Sequence, residues 1–116
     1  MSKDCIFCKI VNKEIDADKV YEDSNILAFK DLNPVAPVHI LFIPKKHVCC
    51  VSNINKDNSG IVSDVFYAIS KVAKDLGLDN KGYRIINNCG EDGGQTVMHL
   101  HFHLIGGKRL GWPGVE

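Results

Sequence analysis

Three histidines, His99, His101 and His103, alternate with apolar residues between positions 98 and 105. Side chains of a β-strand point alternately to its two faces, so this spacing predicts a strand with the three imidazoles on one face. The apolar residues that alternate with them, from Met98 to Leu104, are then expected to point into a core. A helix would turn successive histidines by about 200° and scatter them around its axis. The pattern therefore favours a strand that presents an imidazole row.

Apolar residues recur at helical spacing in two other parts of the chain. Residues 5–12 are expected to form a short helix, for which Asp4 is a suitable N-cap. A longer apolar stripe runs through residues 61–76, after a polar cap at Asn58 or Ser59. We expect this long helix to pack its stripe against a sheet.

Shorter apolar runs, separated by turn residues and prolines, predict further strands. They are expected at 19–22, 26–30, 38–44 and 82–88. The third run is apolar on both faces except at His39, which is either a hydrogen-bonded structural residue or a neighbour of the histidine row. Together with the histidine stretch, these segments predict an α+β fold, a strand meander with helices on one side.

Composition and charge narrow the class of protein. The 116 residues fit one domain, 1–116, with a tail at 106–116 that contains the single tryptophan. Basic and acidic residues both number 14, a balance that argues against a nucleic-acid or anionic-membrane partner. The N-terminus lacks the apolar region of a signal peptide and the five cysteines are an odd number, so we expect a cytoplasmic protein in a reducing compartment.

The chain contains two close cysteine pairs. Cys5 and Cys8 are three residues apart, which puts both thiols on one face of the predicted short helix. Such a pair is typical of zinc sites but requires two more ligands, and two buried thiols are the alternative. Cys49 and Cys50 are adjacent and indicate no chemistry by themselves, so core or rim positions are expected for them.

A glycine-rich loop, residues 89–96, leads directly into the histidine stretch. Glycines allow backbone N–H groups to converge on an anion, although a generic loop can have the same composition. Asn88 and Thr96 supply polar side chains at the two ends of the loop. Its position beside three histidines favours the anion-binding interpretation.

The run 99–105 resembles the signature of the histidine triad superfamily, in which three histidines alternate with apolar residues. Further segments of that family's pattern occur in the same order, at 31–34, 39–47, Asn88 and 93–96. The ending 111–114 is similar to that of the HINT branch, and the Cys-x-x-Cys pair is typical of its bacterial-type members. The resemblance covers essentially the whole chain.

The resemblance implies a homodimer in which each subunit contributes a five-stranded antiparallel sheet, one long helix and one short N-terminal helix. It also implies cleavage of nucleoside 5′-monophosphate derivatives at the α-phosphate, through a nucleotidyl-histidine intermediate and without a catalytic metal. In the HINT branch the leaving group is typically an amine. The implied enzyme is therefore a purine nucleoside phosphoramidase that acts on AMP or GMP derivatives.

Transferred to this sequence, the resemblance assigns the nucleophile to His101, a phosphate contact to His103 and proton handling to His39. Asp31 is implied to bind the ribose hydroxyls. The other implied substrate-binding residues are Ile6, Phe7, Ile10, Phe29 and Leu32, which form a slot for the base, and Asn88, Gly94, Gln95, Thr96 and Trp112.

The same resemblance implies a structural zinc ion. In members with the Cys-x-x-Cys pair, the first triad histidine joins both cysteines and the histidine that follows Pro-Lys-Lys. The corresponding ligands here are Cys5, Cys8, His47 and His99, a set suited to closed tetrahedral zinc. Because alternation puts all three triad histidines on one face, the zinc is expected at the edge of the nucleotide site.

Three other functions would use the same residues. A dinucleoside polyphosphate hydrolase of the Fhit type shares the triad, but Asn88 stands where that branch has glutamine. A metal hydrolase could hold zinc with triad histidines, although the strand contains no acidic residue to serve as base. The third alternative is a nucleotide-binding protein without turnover, against which the presence of all three histidines argues.

Overall fold

The computed structural model describes residues 5–112 of the chain. Over this range the elements in chain order are α1 (Ile6–Val11), β1 (Lys19–Glu22), β2 (Ile26–Lys30), β3 (Val38–Pro44), a 3₁₀ turn (Val51–Asn53), α2 (Gly60–Asp75), β4 (Arg84–Asn87) and β5 (Phe102–Gly106). The first three strands coincide with the predicted ones, and β4 is shorter than its predicted segment. The predicted cap Asp4 lies outside the described residues. Between residues 5 and 112, no helix has the length and apolar character needed to cross a membrane.

The five strands form one antiparallel sheet in the order β1, β2, β3, β5, β4. This arrangement confirms the predicted five-stranded antiparallel sheet, but the expected simple meander is wrong because β5 lies between β3 and β4. After β3 the chain passes through α2, which packs on one face of the sheet, and β4 then forms one position further out. The last strand fills the gap that remains.

The two helices cover opposite faces of the sheet, so the expectation that both lie on one side is wrong. Alternating residues of the central strands explain this. In β3, Ile40 and Phe42 belong to the core beneath α2, whereas Leu41 and Ile43 belong to a second core that includes Phe7 from α1. A strand that is apolar on both faces requires a cover on each of them.

The long helix runs over Gly60–Asp75, in agreement with its apolar stripe. Ser59 occupies the N-cap position, although its side chain makes no capping hydrogen bond. The side chains buried against the sheet are Val65, Ala68, Ile69, Val72 and Ala73. Their spacing is that of one helix face, and its burial supplies most of the stability of such a helix. Phe66 and Tyr67 remain exposed.

The histidine stretch is only partly a strand. β5 begins at Phe102, and Met98 is 49% exposed instead of pointing into the core. The ladder between β3 and β5 ends at the pair of Phe42 and Phe102. Pro44, the last residue of β3, has no N–H to continue the ladder, and its carbonyl accepts a hydrogen bond of 2.8 Å from the His99 side chain. A side-chain interaction thus replaces the last backbone pairing.

Candidate active site

The histidine row lies on the α1 side of the sheet. The alternation predicted that the three imidazoles would share a face, but not which face. The Phe7 ring stands edge-on to the rings of His99 and His101, with centroids 5.9 Å and 5.2 Å apart. The apolar residues between the histidines, Leu100 and Phe102, are buried in the core beneath α2. The extended backbone therefore separates an imidazole face from an apolar face even where no regular strand is formed.

His101 has one ring nitrogen free for chemistry. Its Nδ1 lies 2.8 Å from the carbonyl oxygen of His99. Because a carbonyl oxygen can only accept, Nδ1 carries the proton and donates it, and Nε2 keeps an unprotonated lone pair. The His101 side chain is mostly buried but reaches the wall of a cavity. A neutral imidazole in this tautomer is equipped to act as a nucleophile.

His39 and His103 form a hydrogen-bonded pair across β3 and β5. The backbone N–H of Val35 donates to Nδ1 of His39 over 3.2 Å, so the proton of His39 is on Nε2. That Nε2–H donates to Nδ1 of His103, 2.9 Å away. His103 must then carry its own proton on Nε2. The pair thus orients His103 with a single N–H donor at the edge remote from His39, and His39 does face the histidine row.

Asp31 joins this pair through a contact that was not predicted from the sequence. One oxygen of its carboxylate accepts a hydrogen bond from the Asn33 backbone N–H at 2.8 Å. The other oxygen is 3.5 Å from Nε2 of His39. The pairing of β2 with β3 brings the two residues together, because the Asp31 N–H donates to the His39 carbonyl. The contact could have been predicted only from the register in which β2 pairs with β3.

Asp31, His39 and His103 also lie close enough together to hold a metal ion. Their hydrogen bonds favour a different arrangement. The proton assigned to Nε2 of His39 occupies the nitrogen that faces the other two residues, so this nitrogen offers no lone pair to a metal. The geometry therefore supports a hydrogen-bond relay in preference to a metal hydrolase site.

Burial, together with repulsion from the positive charges that His101 and His39 would carry, lowers the pKa of His103 to about 4, although Asp31 opposes the shift. At neutral pH His103 is therefore uncharged, in agreement with the tautomer assigned from its hydrogen bond. A neutral His103 adds no positive charge beside His101.

A cavity of about 300 Å³ lies between α1, the end of β2 and the histidine row. The predicted residues that line it are Ile6, Phe7, Ile10, Phe29, Asp31, Leu32, Thr96, His101 and His103. Leu41 and Ile15 also line it, and neither was predicted. Leu32 is 92% exposed, which puts it at the mouth of the cavity. An apolar cavity with a few polar groups at one end is typical of a small-molecule site.

Other predicted substrate-binding residues lie outside the cavity wall. Asn88 donates a hydrogen bond from Nδ2 to the Gly93 carbonyl at 2.7 Å, and it thereby shapes the glycine-rich loop. Gln95 is buried and donates to the Cys49 carbonyl at 2.8 Å, so its side chain attaches the loop to the segment after β3. Trp112 is 89% exposed. Gly94 has a φ of +79°, a backbone conformation that favours glycine.

The predicted zinc ligands come together beside the cavity. Cys5 and Cys8 come from the start of α1, His47 follows β3, and His99 precedes β5. Nδ1 of His99 is 3.3 Å from the Cys5 sulfur, 3.6 Å from the Cys8 sulfur and 3.2 Å from Nδ1 of His47. Tetrahedral zinc, with bonds of about 2.0 Å to nitrogen and 2.3 Å to sulfur, separates its ligands by roughly 3.3–3.8 Å. The four side chains therefore fit a closed metal site.

The protonation states of this cluster also suit a metal. Nε2 of His99 is 2.8 Å from the Pro44 carbonyl and donates its proton there, which leaves the Nδ1 lone pair facing the two thiols. Burial lowers the pKa of His99 to about 4, so protons do not compete for that lone pair at neutral pH. Burial raises the pKa of the Cys8 thiol to about 11, so metal binding there must release a proton.

Fold and site together define the class of this protein. A five-stranded antiparallel sheet carries a histidine row beside an apolar cavity. The same fold occurs in a HIT family hydrolase of known structure. The family model described as the HIT domain matches residues 12–110. The chain therefore belongs to the HIT family.

Three similar proteins illustrate this relationship. An uncharacterized HIT-like protein of Rickettsia prowazekii is 46% identical over 110 residues, which cover 94% of this chain and 92% of that protein. The crystal structure of a HIT family hydrolase from Legionella pneumophila has a TM-score of 0.93 and 45% identity, and covers 95% of this chain and 98% of its own. The crystal structure of a histidine triad nucleotide-binding protein from Candida albicans has a TM-score of 0.80 and 36% identity, and the match covers 97% of this chain and 85% of the Candida chain.

Proposed function

We propose that the protein is a HINT-like purine nucleoside phosphoramidase, which hydrolyses nucleoside 5′-phosphoramidates such as AMP-amines to the monophosphate and a free amine. The observation that carries this proposal is the unprotonated Nε2 of His101 at an apolar cavity, next to the N–H donor of His103. The description of the related Candida protein as nucleotide-binding supports a nucleotide as the ligand.

In the proposed reaction, Nε2 of His101 attacks the α-phosphorus. A phosphorus–nitrogen bond to His101 forms while the bond to the departing amine breaks, which yields a nucleotidyl-histidine intermediate. Water then attacks the same phosphorus, releases the monophosphate and regenerates the free imidazole. Two displacements at one phosphorus allow a single set of phosphate contacts to serve both steps.

The two other histidines have different roles in this proposal. His103 lines the cavity, and its Nε2–H would donate to an oxygen of the phosphate and stabilise the charge of the transition state. His39 lies behind His103 and holds it in the required tautomer. We therefore assign His39 a positioning role, and its contribution to proton handling passes through its hydrogen bond to His103.

The phosphate would be held by the glycine-rich loop, through the side chains of Asn88 and Thr96 and through the backbone N–H of Gly94, which would exchange its 3.0 Å hydrogen bond to the Glu91 carbonyl for one to the phosphate. Gly93 maintains the shape of this loop, because a Cβ atom at that position would lie 2.3 Å from the Cys89 carbonyl oxygen. Gly93→Ala is therefore expected to open the loop and lower kcat/KM by about tenfold or more, the effect of losing one hydrogen bond to a charged group.

Steady-state kinetics with adenosine 5′-phosphoramidate measure this loss. Gly60→Ala is the matched control, since nothing lies within 4 Å of a Cβ atom at Gly60. Equal kcat/KM values for the two variants would contradict the proposed role of the loop.

Asp31 lines the cavity, and we propose that its carboxylate binds the ribose hydroxyls. Asp31→Asn is expected to raise KM about tenfold, because the variant loses a charge-assisted hydrogen bond. A 2′,3′-dideoxy substrate should already be poor for the wild type and should become no worse in the variant. Asp75→Asn, at the far end of α2, is the control for charge removal. An equal loss of activity on both substrates would show that Asp31 acts through His39 instead.

We also propose that the four-ligand cluster holds structural zinc, that residues 1–116 form one domain with a tail at 106–116, and that two copies form a dimer.

Phe66 and Tyr67 support the dimer, because both are exposed on α2 and would be covered by a second copy. Within the described residues β4 is also an edge strand with one unpaired side. Sedimentation equilibrium gives the oligomeric state directly.

The function itself is tested by incubating the purified protein with adenosine 5′-phosphoramidate and following the release of AMP by chromatography. The guanosine analogue and a diadenosine polyphosphate are assayed in parallel. We expect kcat/KM for the phosphoramidates to exceed that for the dinucleotide by about tenfold or more. The reverse preference would support the dinucleoside polyphosphate hydrolase. AMP binding without any turnover would support the non-catalytic alternative.

A further inference from the structure

Three cysteines lie together outside the proposed zinc site. Cys49 and Cys50 lie between β3 and the 3₁₀ turn, and Cys89 follows β4 at the start of the glycine-rich loop. All three are partly exposed and none forms a disulfide. The function proposed above does not use them. Cys89 is distant in sequence from Cys49 and Cys50, so tertiary packing alone brings it to them.

The side chain of Cys89 contacts the segment that follows Cys50. The Ser52 hydroxyl is 3.3 Å from the Cys89 sulfur. The thiol of Cys50 donates a hydrogen bond to the Asn53 side-chain oxygen over 3.2 Å. Cys50 lies two residues before Ser52, so the contact of Ser52 with Cys89 brings Cys50 close to Cys89 in space although the two are 39 positions apart in the sequence.

The thiols of Cys89 and Cys50 differ in the direction in which their surroundings shift their pKa. The hydroxyl and the backbone N–H of Ser52 lower the pKa of Cys89, because each hydrogen bond stabilises its thiolate. Burial and its two thiol neighbours raise the pKa of Cys50. Thiolate is the form that attacks oxidants, whereas a neutral thiol nearby serves to resolve the product.

Cys89 is also tightly coupled to the loop that would hold the phosphate. Its carbonyl oxygen would lie only 2.3 Å from a Cβ atom on Gly93, so the two backbones are in direct contact. Gln95 accepts a hydrogen bond from the Gly90 N–H at 2.9 Å and donates to the Cys49 carbonyl. The thiol cluster and the loop thus share one network, and a new covalent bond at Cys89 would move the loop.

We propose that Cys89 and Cys50 form a peroxide-sensitive dithiol whose oxidation to a disulfide displaces the glycine-rich loop and weakens nucleotide binding. The Cys89 thiolate attacks hydrogen peroxide, a sulfur–oxygen bond forms, the oxygen–oxygen bond breaks and hydroxide leaves. The Cys50 thiol then attacks the sulfenic acid sulfur, a disulfide forms and water leaves. The two thiols lose two electrons and the peroxide is reduced to water. The effect on nucleotide binding rests on the function proposed above.

Mass spectrometry tests the disulfide directly. Zinc-loaded protein is treated with a few equivalents of hydrogen peroxide, alkylated and digested with trypsin without reduction. Tryptic cleavage separates peptide 47–56, which contains Cys49 and Cys50, from peptide 85–108, which contains Cys89. We expect the two peptides to be linked in the wild type and in Cys49→Ser. In Cys50→Ser we expect no link, and dimedone should trap a sulfenic acid on Cys89.

Two results would overturn the inference. One is a wild-type protein in which Cys89 stays a free thiol, or a stable sulfenic acid, after the peroxide treatment. The other is a link that survives in Cys50→Ser and disappears in Cys49→Ser, since Cys49 would then be the partner. The digest reads the disulfide whether or not the protein turns over nucleotides, so failure of the proposed function is distinguishable from failure of the dithiol.

Calorimetric titration with AMP tests the effect on the loop. We expect the disulfide form to bind AMP about tenfold more weakly than the reduced form, the loss that one displaced hydrogen bond to phosphate would cause. Thiol reductant should restore the affinity, and peroxide-treated Cys89→Ser should show no loss. Equal affinity in the linked and reduced wild type would refute the coupling between the thiols and the loop.

Discussion

His101→Ala is expected to abolish turnover of adenosine 5′-phosphoramidate, with a fall in kcat of about a thousandfold or more. The substitution removes the atom that would form the covalent bond to phosphorus, and no neighbouring group offers the same geometry. Nδ1 of His101 is already used by the His99 carbonyl, so the tautomer directs Nε2 alone toward the cavity. The neighbouring His103 carries its proton on the equivalent nitrogen and cannot substitute for it.

Two further measurements separate a lost nucleophile from a lost site. The affinity of His101→Ala for AMP, measured by calorimetry, should stay within about threefold of the wild type, because the phosphate contacts of the loop and of His103 remain. Rapid quenching of the wild type under alkaline conditions should trap a nucleotidylated peptide that includes His101, and the variant should yield none. If the variant keeps a tenth of the wild-type kcat or more, His101 is not the nucleophile.

Cys8→Ser is expected to cause the largest loss of stability of any single substitution proposed for this chain. Zinc that binds the folded protein at about a thousand times its dissociation constant contributes ~4 kcal/mol to the free energy of unfolding. In a chain of this size that corresponds to a fall in Tm of roughly 15 °C. The ligands join α1 to the segments that follow β3 and precede β5, so their release frees the helix that forms one wall of the cavity.

Cys49→Ser is the matched control, because it makes the same chemical change at a thiol outside the metal cluster. Elemental analysis should find about one zinc per subunit in the wild type and in the control, with clearly less in Cys8→Ser. Zinc affinity should rise with pH, since binding displaces the proton of Cys8, whose pKa burial raises to about 11. A metal-free wild type after growth in zinc-supplemented medium, or equal Tm values for the two variants, would contradict the site.

Chelation also distinguishes structural from catalytic zinc. At a temperature at which the metal-depleted protein is still folded, phosphoramidate turnover should persist, because the proposed reaction uses no metal. Loss of turnover with an intact fold would instead support the metal hydrolase alternative, with a metal bound by the cluster of Asp31, His39 and His103.

Much of the local structure followed from the chain's own pattern. The bounds of β1, β2 and β3 agree with the predicted strands, because turn residues and prolines limit each apolar run. The bounds of the long helix agree with the apolar stripe predicted at 61–76. The helices were expected on one side, and that was wrong, because a short helix with apolar residues on several sides does not indicate which face of a sheet it will cover.

The site was only partly predictable. The period of two brought His99 and His101 to one side, where both contact Phe7. Met98 departs from the pattern because the ladder ends before it, at a point set by a proline in another strand. The contact of Asp31 with His39 depends on the register of β2 and β3, which no single segment encodes.

By itself, the sequence determined that three imidazoles would share one side of an extended segment, since strand geometry alone requires it. It also determined, through the spacing of Cys5 and Cys8, that two thiols would share a helix face. Only the tertiary structure decided what each histidine does. The protons of His99 and His103 are assigned by groups on another strand, the Pro44 carbonyl for His99 and the Nε2–H of His39 for His103. Those contacts exist only after the sheet has formed, and they divide one row of identical side chains into a metal ligand, a nucleophile and a hydrogen-bond donor.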